Sequence, residues 1–178
     1  TTTIMSYQRR IMKELERLKT APPNCEYHYG RSPTLLRLSY CTCTNPAHIT
    51  LVEANDLETW QIDLEVNNDN PLYTGKTFRL QFIIGPNYPV ESPQVQFMPL
   101  PARPIPIHPH IYSNGHICLD ILGDEWTPVQ TVASVCISLQ SMLGSNDRDE
   151  RPPDDERYIK HAPKNPKQTR FVYHDDTV

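Results

Sequence analysis

Two stretches of alternating apolar and polar residues, at 59–66 and 78–84, constrain the fold most. Their apolar members are Trp60, Ile62, Leu64, Val66, Phe78, Leu80, Phe82 and Ile84. Such alternation is typical of strands with one buried and one exposed face. A β-branched run at 49–52 and the pair Val95 and Phe97 predict two further strands, and the turn-rich segments 67–71 and 85–87 join the strands. The pattern predicts a four-stranded antiparallel meander.

Helical periodicity appears before and after these strands. An amphipathic helix is predicted over 6–19, with Tyr7, Ile11, Leu15 and Leu18 on its apolar face. A capping box at 127–130 and an apolar face reaching Leu143 predict a central helix that ends near Gly144. The fold class is therefore α+β. Residues 1–143 are predicted to form the core, with an insertion at about 25–48, and 144–178 a charged, proline-rich, partly flexible extension with at most one short helix, at about 154–161.

Composition disfavours several function classes. Lys and Arg number 17 against 21 Asp and Glu, a net charge of −4, which argues against a nucleic-acid partner. The apolar runs are too short to cross a bilayer, so no membrane partner is expected. The 5 cysteines, with no Asn-x-Ser/Thr site and no visible secretory leader, indicate reduced thiols and a cytoplasmic and nuclear location.

The long loop at 99–126 carries the chemistry. Residues 108–122 are His-Pro-His-Ile-Tyr-Ser-Asn-Gly-His-Ile-Cys-Leu-Asp-Ile-Leu, and Trp126-Thr-Pro128 follows. With the upstream turn Tyr88-Pro89, this stretch resembles the active site of ubiquitin-conjugating enzymes. The resemblance covers roughly 6–143 and implies their fold, transfer of ubiquitin from the activating enzyme to a cysteine as a thioester, and partner ligases of the RING or U-box kind. ATP would be used by the activating enzyme, so no cofactor is expected on this chain.

Three features resemble the W-type branch of that family. His110 stands where Asn is usual, His116 precedes Ile117-Cys118, and the tail at 164–177 is similar. This branch attaches ubiquitin to N-terminal α-amino groups. The implied substrates are therefore proteins with flexible N-termini.

The resemblance also implies roles for particular residues. Cys118 would be the nucleophile, because a thiolate both attacks and leaves well; Cys136, on the apolar helix face, is interpreted as a buried apolar residue. His108, Pro109 and Asn114 would hold the loop, and His108 is interpreted as structural rather than as a base. His110 could donate to the thioester oxyanion, and that role could survive, become pH-dependent or be lost. Activating-enzyme and ligase docking would use Arg9, Arg10, Lys13, Val90, Pro128 and Val129, although the helix charges could equally be a solvated face.

The nature of the acceptor amine remains open. A Lys side chain has a pKa near 10.4 and an α-amine one near 7.7, so at pH 7.4 about a third of α-amines are neutral against about one Lys in a thousand. A Lys-directed enzyme must therefore help to remove a proton. Asp120 is retained from the common pattern, and Asp155, with Asp154 beside it, resembles the family's acidic gate, so transfer to Lys stays possible. An open groove beside Cys118, able to accept an extended substrate N-terminus, is the competing hypothesis.

Three alternatives accompany this interpretation. The chain could carry a ubiquitin-like modifier, or it could be a non-catalytic scaffold of the same fold, although the intact cysteine motif argues against a scaffold. The segment 25–48 holds five potential metal ligands, Cys25, His28, Cys41, Cys43 and His48. Their spacing fits no zinc ribbon or finger, so no metal is predicted and a surface loop is favoured.

Overall fold

The computed structural model describes residues 2–20, 48–54, 56–66 and 69–169, with side chains from Tyr7 onward. Its elements are α1 (Thr2–Lys19), β1 (Ile49–Glu53), β2 (Thr59–Glu65), β3 (Thr77–Ile83), β4 (Gln94–Phe97), α2 (Val132–Gly144), α3 (Asp155–Ile159) and 3₁₀ turns at Asp120–Leu122 and Pro166–Gln168. The strands pair antiparallel in the order β1-β2-β3-β4. The α+β meander predicted from residue alternation is thus confirmed, and α1 begins four residues earlier than expected.

The core lies between one face of the sheet and the helices α1 and α2. Trp60, Ile62 and Leu64 alternate inward on β2, each fully buried, and β3 repeats the pattern. Ile11 of α1 and Leu139 of α2 belong to the same buried cluster. Each such side chain contributes roughly 1.5–3 kcal/mol through burial. This packing fixes α1 and α2 against the sheet, and α2 follows the long loop.

The start of α2 differs from the sequence prediction. The capping box is formed by Thr131 and Ser134, not by the segment 127–130: Thr131 Oγ1 accepts from the Ser134 N–H at 3.0 Å, and Ser134 Oγ accepts from the Thr131 N–H at 2.8 Å. Residues 127–130 form a turn, closed by the Gln130 N–H bonding to the Thr127 carbonyl at 3.0 Å. Thr127 and Thr131 could each begin a capping box. The reciprocal hydrogen bonds between Thr131 and Ser134 show that the helix begins after Thr131.

Glu14 is a buried carboxylate that joins α1 to the rest of the core. It accepts hydrogen bonds from the Tyr88 hydroxyl, at 2.8 and 2.9 Å, and from the Val132 N–H at the start of α2, at 2.9 Å. Arg10 pairs with the same carboxylate. A buried charge is stable only when it is paired and hydrogen-bonded in this way. The network fixes α1 against both the Tyr88-Pro89 turn and α2.

Among the described residues no helix could cross a membrane, and no cluster of three or more potential ligands could hold a metal ion. Cys25, His28, Cys41 and Cys43 lie outside the described residues, so the metal question for 25–48 stays a prediction. His48 is exposed, and its Nδ1 lies 3.3 Å from Glu65 Oε2.

The described part of the C-terminal extension, residues 145–169, folds back onto the long loop. Arg151 donates to the carbonyls of Ile105, Pro106 and Ile111 at 3.1, 2.6 and 3.0 Å. Pro152 and Pro166 are buried. Helix α3 falls inside the range predicted for the single short helix, and the domain boundary at 143–144 remains a prediction.

Candidate active site

Cys118 lies at the end of a compact loop and is nearly buried, with 7% of its surface exposed. Its backbone N–H donates to the His110 carbonyl at 2.9 Å, and Ile111 forms isolated bridges with both His108 and Ile117. Gly115 has a φ of +90°, and an added Cβ would lie 2.0 Å from the Phe97 carbonyl oxygen. Only glycine fits this conformation and approach. The loop is therefore held at a defined position against β4.

His108 is a buried member of the loop. It is 4% exposed, and its Nδ1 accepts the His110 backbone N–H at 2.9 Å. Burial, followed by the neighbouring charge of His110, lowers the pKa of His108 to about 4. The imidazole is consequently neutral near pH 7 and acts as a hydrogen-bond acceptor that shapes the turn. Asn114 supports the same loop through its Oδ1, which accepts the His116 N–H at 3.1 Å.

Pro109 and His110 follow His108 in the loop, and both are half-buried. The backbone of His110 is engaged at both ends, since its N–H donates to His108 and its carbonyl accepts from Cys118. The two imidazole rings lie 5.4 Å apart. These contacts place His110 beside the cysteine, and its role towards a thioester oxyanion stays a hypothesis.

The two carboxylates of the expected acidic gate contact the loop. Asp155 Oδ1 accepts the Ser113 N–H at 2.7 Å, and Asp154 Oδ1 accepts the Tyr112 hydroxyl at 3.2 Å. Asp154 Oδ2 also lies 3.4 Å from the Arg157 guanidinium. One oxygen of Asp155 and both of Asp154 thus have partners within the protein. Asp120, by contrast, is exposed at the start of its 3₁₀ turn.

Two tyrosines that the sequence analysis did not single out complete this cluster. The rings of Tyr112 and Tyr158 lie 4.0 Å apart at 36°, and the Tyr158 hydroxyl lies 2.8 Å from His116 Nδ1. Burial raises the pKa of Tyr112 well above its usual value, and negative charge on Asp154 and on Cys118 adds to the shift. Tyr158 therefore packs against the loop that ends at Cys118. No local signal connects residues 42 positions apart, although His116 lies in the motif.

A groove of about 350 Å³ lies next to Cys118. Ile117 and Leu119, the chain neighbours of Cys118, line it together with Val95 and Leu122, and Pro166 and Thr169 are the groove wall contributed by the C-terminal extension. The wall is anchored by Lys167 Nζ, which donates to the Ser92 carbonyl at 2.7 Å. The groove combines apolar residues with polar ones such as Ser92 and Gln168, which suits a peptide ligand.

The predicted docking residues divide into two groups. Val90 and Val129 are 74% and 84% exposed, and Pro128, Arg9 and Lys13 are exposed as well. Arg10 is half-buried and turns inward: it pairs with Glu14 and donates to the Gln130 carbonyl at 2.9 Å. Arg10 therefore links α1 to the turn before α2, while the other five residues are available at the surface.

Cys136 is fully buried on α2, as its position on the apolar helix face predicts. Burial raises the pKa of its thiol well above the usual value. A thiol of this kind is inert, because the thiolate is the reactive form. Both described cysteines are buried, but Cys118 keeps 7% of its surface exposed and Cys136 none.

Both the sequence and the fold of the chain are similar to those of known proteins. The sequence profile of the family "Ubiquitin-conjugating enzyme" matches residues 10–173. The chain is 44% identical over 170 residues to "Ubiquitin-conjugating enzyme E2 W" of Caenorhabditis elegans, covering 96% of each chain. It is 41% identical over 173 residues to "Probable ubiquitin-conjugating enzyme E2 W" of Dictyostelium discoideum, covering 97% of each. The crystal structure of ubiquitin-conjugating enzyme E2 UbcA1 from Agrocybe aegerita superposes with a TM-score of 0.73 at 42% identity, covering 89% of this chain and 96% of that one.

The chain therefore belongs to the ubiquitin-conjugating enzyme family and is a cysteine-thioester transferase. Its resemblance to the W-type branch is confirmed by relatives that match over nearly the whole chain. This family works with ubiquitin, an activating enzyme and ligases.

Proposed function

We propose that Cys118 accepts the ubiquitin C-terminus as a thioester and transfers it to the N-terminal α-amino group of a substrate. The observation that carries the proposal is that the carboxylates of Asp154 and Asp155, at the start of α3, are hydrogen-bonded to the cysteine loop. Ser113 and Tyr112 of the cysteine loop hold Asp155 and Asp154 by hydrogen bonds. These carboxylates stabilise the loop, which makes them poorly placed to remove a proton from an incoming Lys.

The acceptor chemistry agrees with this arrangement. A neutral α-amine is about three hundred times more abundant at pH 7.4 than a neutral Lys amine. An enzyme that does not supply a base therefore favours the α-amine by about 3 kcal/mol, before intrinsic nucleophilicity is counted. The groove beside Ile117 and Leu119 supports the same proposal, because an extended N-terminal segment bound there would contact the residues on either side of Cys118.

The remaining roles complete the proposal. His108, Pro109 and Asn114 shape the loop, and His110 donates a hydrogen bond to the thioester oxyanion. The exposed residues Val90, Pro128 and Val129, with Arg9 and Lys13, form the docking surface for the activating enzyme and for a RING or U-box ligase. Substrates have flexible N-termini, and the enzyme acts in the cytoplasm and nucleus. The chain needs no cofactor of its own, since the activating enzyme consumes the ATP.

A single-turnover discharge assay tests the acceptor preference. The ubiquitin thioester is formed with activating enzyme and ATP, ATP is removed, and two unstructured peptides are offered. One peptide has a free N-terminus and no Lys, and the other has an acetylated N-terminus and one Lys. The proposal predicts discharge by the first peptide at a rate at least tenfold above the second.

Transfer to Lys is the competing outcome, and exposed Asp120 is the group that would assist it. Faster discharge by the Lys peptide, lost on Asp120→Asn or Asp155→Asn, would contradict transfer to the α-amine. Charging by the activating enzyme of a ubiquitin-like modifier in place of ubiquitin would contradict the choice of modifier.

A further inference from the structure

The Tyr158 side chain joins three parts of the active site. Its ring stacks on Tyr112 of the cysteine loop, at 4.0 Å between centroids. Its hydroxyl lies 2.8 Å from His116 Nδ1 and 2.8 Å from Thr169 Oγ1. His116 is two residues before Cys118, and Thr169 belongs to the groove wall contributed by the C-terminal extension. The hydroxyl thus connects the loop directly to the groove wall.

Tyr158 contacts the cysteine loop at His116, two residues before Cys118. Burial raises the pKa of Tyr158, as does negative charge on Asp154 and on Cys118, while the hydrogen bond with Thr169 acts in the opposite direction. His116 is 4% exposed and Tyr158 is half-buried, so their contact is partly shielded from water. Shielded hydrogen bonds of this type hold a geometry better than exposed ones do.

The groove wall has other anchors that do not depend on Tyr158. Pro166 is buried, and Lys167 Nζ donates to the Ser92 carbonyl. Without the Tyr158 hydroxyl, the groove wall would therefore stay attached at Pro166 and Lys167 but not at Thr169. Its position at Thr169, next to the cysteine loop, would no longer be fixed.

We propose that the Tyr158 hydroxyl, by bridging His116 and Thr169, is a positioning residue that sets the width of the groove and thereby the affinity for an extended acceptor peptide. The proposal rests on the proposed function, since it concerns the same acceptor site. A peptide that lies along the groove depends on the position of both walls. A small amine that reaches the thioester directly does not.

Two conservative variants test the bridge from its two sides. Tyr158→Phe removes the hydroxyl and keeps the ring stack, and Thr169→Val removes the partner hydroxyl with little change of shape. Each is charged with ubiquitin and then discharged onto the free-N-terminus peptide and onto glycinamide. We expect the KM for the peptide to rise about fivefold, the equivalent of about one hydrogen bond. We expect charging, kcat for the peptide and discharge by glycinamide to stay within about twofold, a change too small to represent a lost hydrogen bond.

The double variant and a matched control separate positioning from general destabilisation. If the two hydroxyls form one bridge, the double variant has the same KM as the single ones. Tyr73→Phe serves as the control, because its hydroxyl donates to the Ile107 carbonyl at 2.6 Å, away from the groove wall. This control is expected to leave the peptide KM unchanged.

Three results would overturn the proposal: an unchanged peptide KM in both single variants, a parallel loss with glycinamide, or the same rise in Tyr73→Phe. Failure of the proposed function looks different, because it appears in the wild-type protein as missing charging or as preference for the Lys peptide. If the wild-type protein prefers the Lys peptide, the KM of the same variants for the Lys peptide decides the role of Tyr158. If wild-type protein does not charge, binding of the free-N-terminus peptide to the uncharged variants decides it, and an unchanged Kd refutes it.

Discussion

The depressed pKa of His108 makes the stability of the active-site loop depend on pH in a calculable way. Its pKa is about 4 in the folded chain, because burial disfavours the charged imidazolium, against 6.5 for the free side chain. Between these values the unfolded chain binds a proton that the folded chain does not. Stability is therefore fully present above about pH 6.5 and decreases as the pH falls toward 4.

The size of the effect follows from the two pKa values. Linkage predicts a loss of about 2 kcal/mol between pH 7.5 and pH 5 from His108 alone, and about 3 kcal/mol by pH 4. His116 adds to the loss, since burial lowers its pKa as well. Urea unfolding of wild type and of His108→Gln at pH 7.5 and pH 5 measures the difference. The variant, although less stable at pH 7.5, should show a pH-dependent loss smaller by about 2 kcal/mol.

His161 provides the control, because its side chain is exposed in the tail. His161→Gln should keep the wild-type dependence on pH. If His108→Gln also keeps it, the imidazole of His108 is not held neutral by burial. The assignment of this residue as a structural acceptor would then be wrong.

Three further outcomes follow from the same contacts. Gly115→Ala should destabilise the protein by more than about 3 kcal/mol, because its Cβ would collide with the Phe97 carbonyl. Gly75→Ala is the control, because Gly75 also has a positive φ but faces open space, and it should cost about 1 kcal/mol. Equal shifts in melting temperature would contradict this prediction. Glu14→Ala should lower the free energy of unfolding by about 3–5 kcal/mol, because buried donors lose their acceptor, and a loss below 1 kcal/mol in urea titration would refute that role. Val129→Ala should slow ligase-stimulated discharge at least fivefold with unchanged thermal stability and charging, because the side chain is 84% exposed; unchanged stimulation would remove Val129 from the docking surface.

Much of the fold could be predicted from residue patterns. The alternation around Trp60 and Phe78 determines strands with one buried face, and the spacing of Ile11 and Leu15 determines the face of α1. The start of α2 was misassigned, because two capping signals compete and only the reciprocal bonds of Thr131 and Ser134 decide between them. Local pattern alone does not rank such alternatives.

The active site could likewise be predicted only in part from the sequence. The loop around Cys118 was accessible because its residues are consecutive in the chain. The contribution of Tyr158 was not, since its contact with His116 joins residues that are 42 positions apart. The engagement of Asp154 by Tyr112, and the inward turn of Arg10, also depend on tertiary packing. Sequence indicates which groups are present, and packing decides which of them are free to react.

Site-mapped charging tests the central claim most directly. Wild-type protein and the variants Cys118→Ser, Cys118→Ala and Cys136→Ala are incubated with activating enzyme, ubiquitin and ATP, and the adducts are separated with and without reducing agent. The account predicts a reductant-sensitive adduct for wild type and Cys136→Ala, a reductant-resistant ester for Cys118→Ser, and none for Cys118→Ala. A reductant-sensitive adduct that persists in Cys118→Ala would contradict the account, because ubiquitin would then be carried by another cysteine.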